Sequence, residues 1–172
     1  MWRRLGVVAA VALSIAVAAP AQAAPLAREQ RVVLPASQVP KLVRQCSRRR
    51  PGPVEGTWTP SAAQLDQLEA RLPVVFLENL ERAHGGHLAP GIDQDALLAS
   101  YYRQYAGLVI AGRRVIYLHA FRSPHSPLRR DWRREPIIVC DGGTITFGVE
   151  YDPARRTFAN FAFNGSLRRP AR

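Results

Sequence analysis

The stretch PIIVCDGGTITFGVEYD, residues 136–152, decides how the C-terminal half of the chain is read. Pro136 to Cys140 reads as a strand, and proline is suited to opening an edge strand. Asp141-Gly142-Gly143 reads as a tight turn, because glycine takes positive φ at little steric cost. Thr144 to Tyr151 reads as the next strand, with Ile145, Phe147, Val149 and Tyr151 alternating onto one face. The unit makes this half an antiparallel meander and sets one of only two cysteines at a strand end.

Working outward, Tyr105 to Ala111 and Arg114 to Phe121 read as a hairpin about a Gly112-Arg113 turn. Arg122 to Glu135 reads as a long polar loop. Asp152-Pro153 starts another turn, and Thr157 to Phe163 is the fifth strand expected. The N-terminal half reads differently. Arg31 to Leu34 is a short extended piece, and Ser37 to Gln45 is a short helix with Pro40 tolerated in its first turn. Cys46 to Gly56 is a basic, Pro/Gly-rich loop.

Thr59-Pro60-Ser61 opens the main helix, capped by Thr59 or Ser61. Leu65, Leu68, Leu72, Val75 or Phe76, and Leu80 recur at three-to-four spacing. Pro73 falls inside this run and should kink or divide it. Residues 83–91 form a loop, and a second helix starts at Asp93 and runs through DALLASYYRQ. Helices first and strands after them predict an α+β fold. The expected form is a curved antiparallel sheet of about five strands under N-terminal helices, a cystatin-like or NTF2-like roll.

The first residues have a separate logic. Arg3 and Arg4 form a basic segment, Leu5 to Ala19 is apolar, and Ala21-Gln22-Ala23 has the small-x-small pattern of a signal-peptidase site. The apolar run is shorter than the ~20 residues that span a bilayer. Residues 1–23 are therefore expected to be a cleaved signal peptide. Residues 24–172 are expected to be one domain, periplasmic or secreted, with a mobile start, a basic C-terminal tail and no further transmembrane segment. The full chain carries a formal charge of +11, which loss of Arg3 and Arg4 reduces to +9. A single lysine, Lys41, stands among the arginines, a skew that genome composition alone can produce.

An exported chain matures where thiols pair, and two cysteines support one bridge between Cys46 and Cys140. Closing a loop of roughly 95 residues contributes on the order of 4–5 kcal/mol in the chain-entropy picture. The competing readings are a Cys140 nucleophile served by His84, His87, His119 or His125, and metal ligation. Asp141 disfavours a thiolate next door. No Cys-x-x-Cys or His-x-x-x-His pattern flanks either cysteine.

In a simple meander, alternate turns fall at opposite ends of the sheet. That layout gathers Arg122, Arg129, Arg130, Arg133, Arg134, Arg155 and Arg156 at one end, with Trp132 as an apolar anchor. Clustered guanidinium groups suit phosphates and carboxylates, although a charge run is more often only a solvated surface. Arg129, Arg130, Trp132, Arg133, Arg134, Arg155 and Arg156 are the candidate site for an anionic partner.

His84-Gly85-Gly86-His87 lacks a clear third ligand for a metal, with Asp93 and Asp95 as the only helpers nearby. No paired-carboxylate, Gly-x-Ser-x-Gly or phosphate-loop pattern occurs, so no catalytic residue, metal or cofactor is assigned. A nucleic-acid-binding motif is also missing. The segments CSRRRPGPVEGTWTPSAAQLDQLE, YYRQYAGLVIAGRRVIYLHAF and VCDGGTITFGVEYDPARRTFANFAFNG resemble a family of exported bacterial proteins with no established activity. The resemblance runs from about Cys46 to Gly165 and rests on the Trp-Thr-Pro, Tyr-Arg-Gln-Tyr and Cys-Asp-Gly-Gly segments in that order. It implies an envelope location and no catalytic residues.

The expected function is binding, of an anionic envelope component or a protein partner. The alternatives are a small periplasmic enzyme using a helix–sheet cleft, in which His119 or His84 would serve, and an accessory subunit of a complex. The sequence leaves the oligomeric state open.

Overall fold

The computed structural model describes residues 28–46, 48–88, 90–122 and 131–165; the expected signal peptide, residues 1–23, lies outside them. Among the described residues six strands form one mixed sheet: β1 (Arg31–Val33), β2 (Gly56–Trp58), β3 (Tyr102–Ile110), β4 (Arg113–Phe121), β5 (Gly143–Asp152) and β6 (Thr157–Asn164). Strands β3 to β6 form an antiparallel meander of four strands, one fewer than expected, within the sheet order β1-β3-β4-β5-β6. The sheet is not wholly antiparallel as expected: Arg31–Val33 pairs in parallel with β3, and β2 pairs antiparallel with the same strand. Among the described residues no helix is long and apolar enough to cross a membrane.

Local chemistry sets the helix boundaries. Ser61 closes a reciprocal capping box with Gln64 and starts α2 (Ala62–Glu69). Pro73 divides the expected long helix: α2 stops, and α3 (Leu72–Ala83) restarts with the proline in its first turn, where no N–H is required. Asp93 caps α4 (Gln94–Ala99) through the Ala96 N–H at 2.9 Å. This helix ends well before Gln104, because Tyr102 onward already pairs with β4. The short helix expected over Ser37–Gln45 is a 3₁₀ turn, Ala36–Gln38, running into α1 (Val39–Leu42).

The expected strand at Pro136–Cys140 does not form. β5 pairs directly with β4 over Ile116–Phe121 and occupies that position in the sheet. Buried amides hold residues 136–140 outside the ladder. The Ile137 N–H donates to Gln104 Oε1 (2.9 Å), and the Ile137 carbonyl accepts from Gln45 Nε2 (3.1 Å). Loss of one strand reverses the arithmetic of the turns. The connection from β4 to β5 and the turn at Pro153–Arg156 now lie at opposite ends of the sheet.

The β3–β4 hairpin turns on Ala111 and Gly112, one residue earlier than expected. Both have positive φ (50° and 69°), the geometry of a two-residue turn matched to strand twist.

Both faces of the sheet are covered, which explains why β3 and β4 are buried almost continuously rather than alternately. Leu65, Leu68, Leu72, Phe76, Leu80 and Leu98 of the helices pack on Tyr105, Ile116, Leu118, Phe147, Val149 and Tyr151. Glu69 of α2 lies 3.1 Å from the fully buried Arg103 and accepts the Tyr105 hydroxyl. On the opposite face Leu34, Val39 and Leu42 cover Ala106, Leu108 and Tyr117.

The arm on that second face is anchored by the Cys46–Cys140 disulfide, with Cα atoms 5.4 Å apart. Arg48 then runs across the sheet. Its Nη2 lies 2.7 Å from His119 Nδ1, its guanidinium sits over the Tyr117 ring, and burial lowers its pKa. Gly148 makes room for it: a Cβ there would meet Arg48 Nη1 at 1.6 Å.

Two outcomes are expected. Reducing the disulfide, or replacing both cysteines by serine, lowers stability by about 2–5 kcal/mol in urea unfolding; superimposable curves with and without reductant would contradict it. Gly148→Ala costs about 1–3 kcal/mol through overpacking, and most of that cost disappears in an Arg48→Ala background. A double-mutant cycle measures the coupling, and additivity would disprove the contact.

Candidate binding groove along the edge strand

The arginines expected at one end are distributed over two. Arg133 lies at the β4–β5 end, stacked 4.5 Å over Trp132 and donating to the Glu29 carbonyl. Arg134 is exposed beside it, while Arg129 and Arg130 lie outside the described residues. Arg155 and Arg156 belong to the other end, near Arg113 and Arg114. Trp132 is not the exposed anchor expected. It is 4% exposed and packs edge-on against Phe121 and Tyr102, with its carbonyl bonded by Gln104.

Asp152 organises the turn at Arg155. It accepts from the Ala154 and Arg155 N–H groups (3.0 Å each) and from Arg155 Nη1 (2.9 Å), with Arg113 at 3.8 Å. Arg155 is thereby partly neutralised. Arg114 lies over the Trp58 ring.

The histidines do not form the helix–sheet site of the alternative enzyme reading. His119 faces the arm side of β4, away from the helices, where it meets Arg48. His84 follows the end of α3, and His87 is exposed in the next loop; His125 lies outside the described residues. Among the described residues no group of three or more His, Cys, Asp or Glu side chains is placed to hold a metal. Cys140 is committed to the expected disulfide with Cys46, which leaves no thiol for the competing nucleophile reading.

A broad concavity lies elsewhere among the described residues, between α3 and β6. It has a volume of about 730 Å³ and is lined by Arg71, Val74, Glu78 and Arg82 of the helical side and by Arg156 to Phe161 of the strand side. Val74 is 64% exposed. Leu72, Phe76 and Leu80 take the core-facing stripe, so Val74 must point away from the core. Arg71 and Arg82 flank it along the helix, and Arg82 is steadied by Asn79 Oδ1 at 2.7 Å.

The strand side owes its form to a bulge. Strict alternation cannot turn Phe158, Phe161 and Phe163 to one face. Between the Glu150–Ala159 and Gly148–Ala162 pairs, β6 advances one residue more than β5, and Asn160 takes φ 54°. The extra residue changes the parity. Phe158 then reaches the Tyr151 ring (4.7 Å) and Phe161 the Phe147 ring (5.0 Å), both on the helix side. Asn160 donates to Glu150 Oε1 at 2.9 Å across the bulge.

Sequence reasoning passed over Arg71, Val74 and Arg82. Val74-Val75-Phe76 nevertheless carries a signal, because three consecutive apolar residues on a helix cannot all face one core.

No protein-family model, curated protein or solved structure matches the chain.

Asp152 makes acid stability testable. Burial alone would raise its pKa, but the hydrogen bonds from Arg155 and Ala154 outweigh that and hold it below the usual carboxylate range. A depressed folded-state pKa stabilises the fold above a pH of about 4, and this contribution is lost as pH falls through the folded value. Asp152→Asn should therefore be less stable at neutral pH and lose less stability on acidification. Denaturant titrations between pH 6 and pH 3 measure this; an unchanged slope would contradict it.

Proposed function

We propose that this is an exported, non-catalytic bacterial envelope protein that binds an anionic partner through the groove between α3 and β6. The observation that carries the reading is the groove itself: an apolar floor with Val74 standing exposed, flanked by Arg71, Arg82 and Arg156 against a single carboxylate, Glu78. An exposed apolar strip rimmed by charge is a common form of interaction surface, and arginine suits carboxylate and phosphate groups. The basic start, apolar run and Ala21-Gln22-Ala23 sequence support export, as does the disulfide. Helices followed by an antiparallel meander support a cystatin-like or NTF2-like roll as the type of fold.

Retention on immobilised bacterial envelope extract tests the reading. Arg71→Glu with Arg82→Glu should reduce retention at low salt by about tenfold, since rim charges govern salt-dependent association. Arg133→Glu with Arg134→Glu, at the far end of the sheet, should leave it nearly unchanged. Equal loss in both pairs, or in neither, would show that the groove is not the binding surface.

A further inference from the structure

β6 is the last strand of the sheet and has β5 on one side only among the described residues. Thr157, Ala159 and Asn160 are exposed along it. A strand in this position presents backbone N–H and C=O groups as a template for another strand.

The charges beside this edge lie on both faces of the sheet. Arg71, Arg82 and Arg156 flank it on the helix side. On the arm side a smaller hollow of about 180 Å³ brings Arg49 and Arg50 beside Asn160, Phe161 and Ala162. Arg49 and Arg50 are exposed. Each side has one carboxylate, Glu78 and Glu150, and Glu150 already accepts from Asn160.

We propose that an extended, acidic segment of a partner protein adds to β6 as a further strand, flanked by arginines on both faces. The inference rests on the anionic-partner reading and specifies its occupant. Successive side chains of a strand point to opposite faces. An added strand with acidic residues at both parities therefore meets Arg71 and Arg82 on one face and Arg49 and Arg50 on the other. Apolar residues of the helix-side parity reach Val74 and Phe158. Main-chain pairing supplies affinity, and the flanking pockets supply selectivity. The bulge at Asn160 interrupts the edge, which restricts pairing to a short segment and opposes open-ended stacking of copies.

The test is a selection of random eight-residue displayed peptides on the protein, followed by synthesis of the enriched peptides. The expected sequences are free of proline and acidic at both parities, with apolar residues confined to the parity that faces Val74 and Phe158. N-methylation of alternate amides in one register should weaken binding by about tenfold or more, while methylation in the other register is tolerated, because only one set of amides faces β6. Equal tolerance of both registers would overturn strand addition. If Arg71→Glu with Arg82→Glu still abolished binding in that case, the anionic reading would survive without it. Binding to phosphatidylglycerol vesicles with no peptide enriched would also overturn the proposal and assign the groove to lipid. Loss of arginine dependence in the envelope-retention assay would remove both.

Discussion

The helical layer is held on the sheet by a shared carboxylate. Glu69 of α2 meets Arg103 at 3.1 Å and accepts the Tyr105 hydroxyl, while Arg103 spends its Nη donors on the carbonyls of Tyr101 and Leu98. Three elements, α2, the end of α4 and β3, converge on one guanidinium with no exposure to water. Removing one partner of such a pair leaves an uncompensated buried charge, which is far costlier than losing a surface pair. Burial, followed by the charge of Glu69, pushes the Tyr105 pKa well up, so the phenol stays protonated as the donor. With α2 fixed there and Pro73 turning the chain, α3 is carried out towards β6. The groove follows from that placement.

The other face is covered by a different device. Among its described residues the arm from Leu34 to Arg50 has one short α-helix, so it depends on a few anchors. The disulfide holds Cys46 at the corner near Cys140, Gln45 bonds the Ile137 carbonyl, and Arg48 occupies the space left by Gly148. The same arm brings Arg49 and Arg50 to the β6 edge. The staple therefore does more than restrict the unfolded chain: it sets which charges flank the edge strand.

Short-range chemistry was legible from the sequence. Ser61, Pro73 and Asp93 each act within one helical turn, and each marks a boundary where expected. The cysteine pairing was legible from the even count of two. Long-range placement was not legible in the same way. Residues 136–140 have strand-like composition, yet whether they pair depends on Gln45 and Gln104, distant in sequence, and on β5 taking the adjoining position. That single strand decides at which end Arg155 and Arg156 lie. Trp132 looked like a surface anchor among arginines, but the hydrophobic corner of Phe121 and Ile137 takes it in. The bulge left a readable trace, since Phe158, Phe161 and Phe163 cannot share a face without it.

An anionic partner docked between α3 and β6 would shield the backbone of both elements. Backbone hydrogen exchange, followed along the chain with and without saturating envelope extract, tests this most directly. It should show new protection concentrated in residues 71–82 and 156–163. Protection confined to residues 131–135, or none anywhere, would contradict the claim.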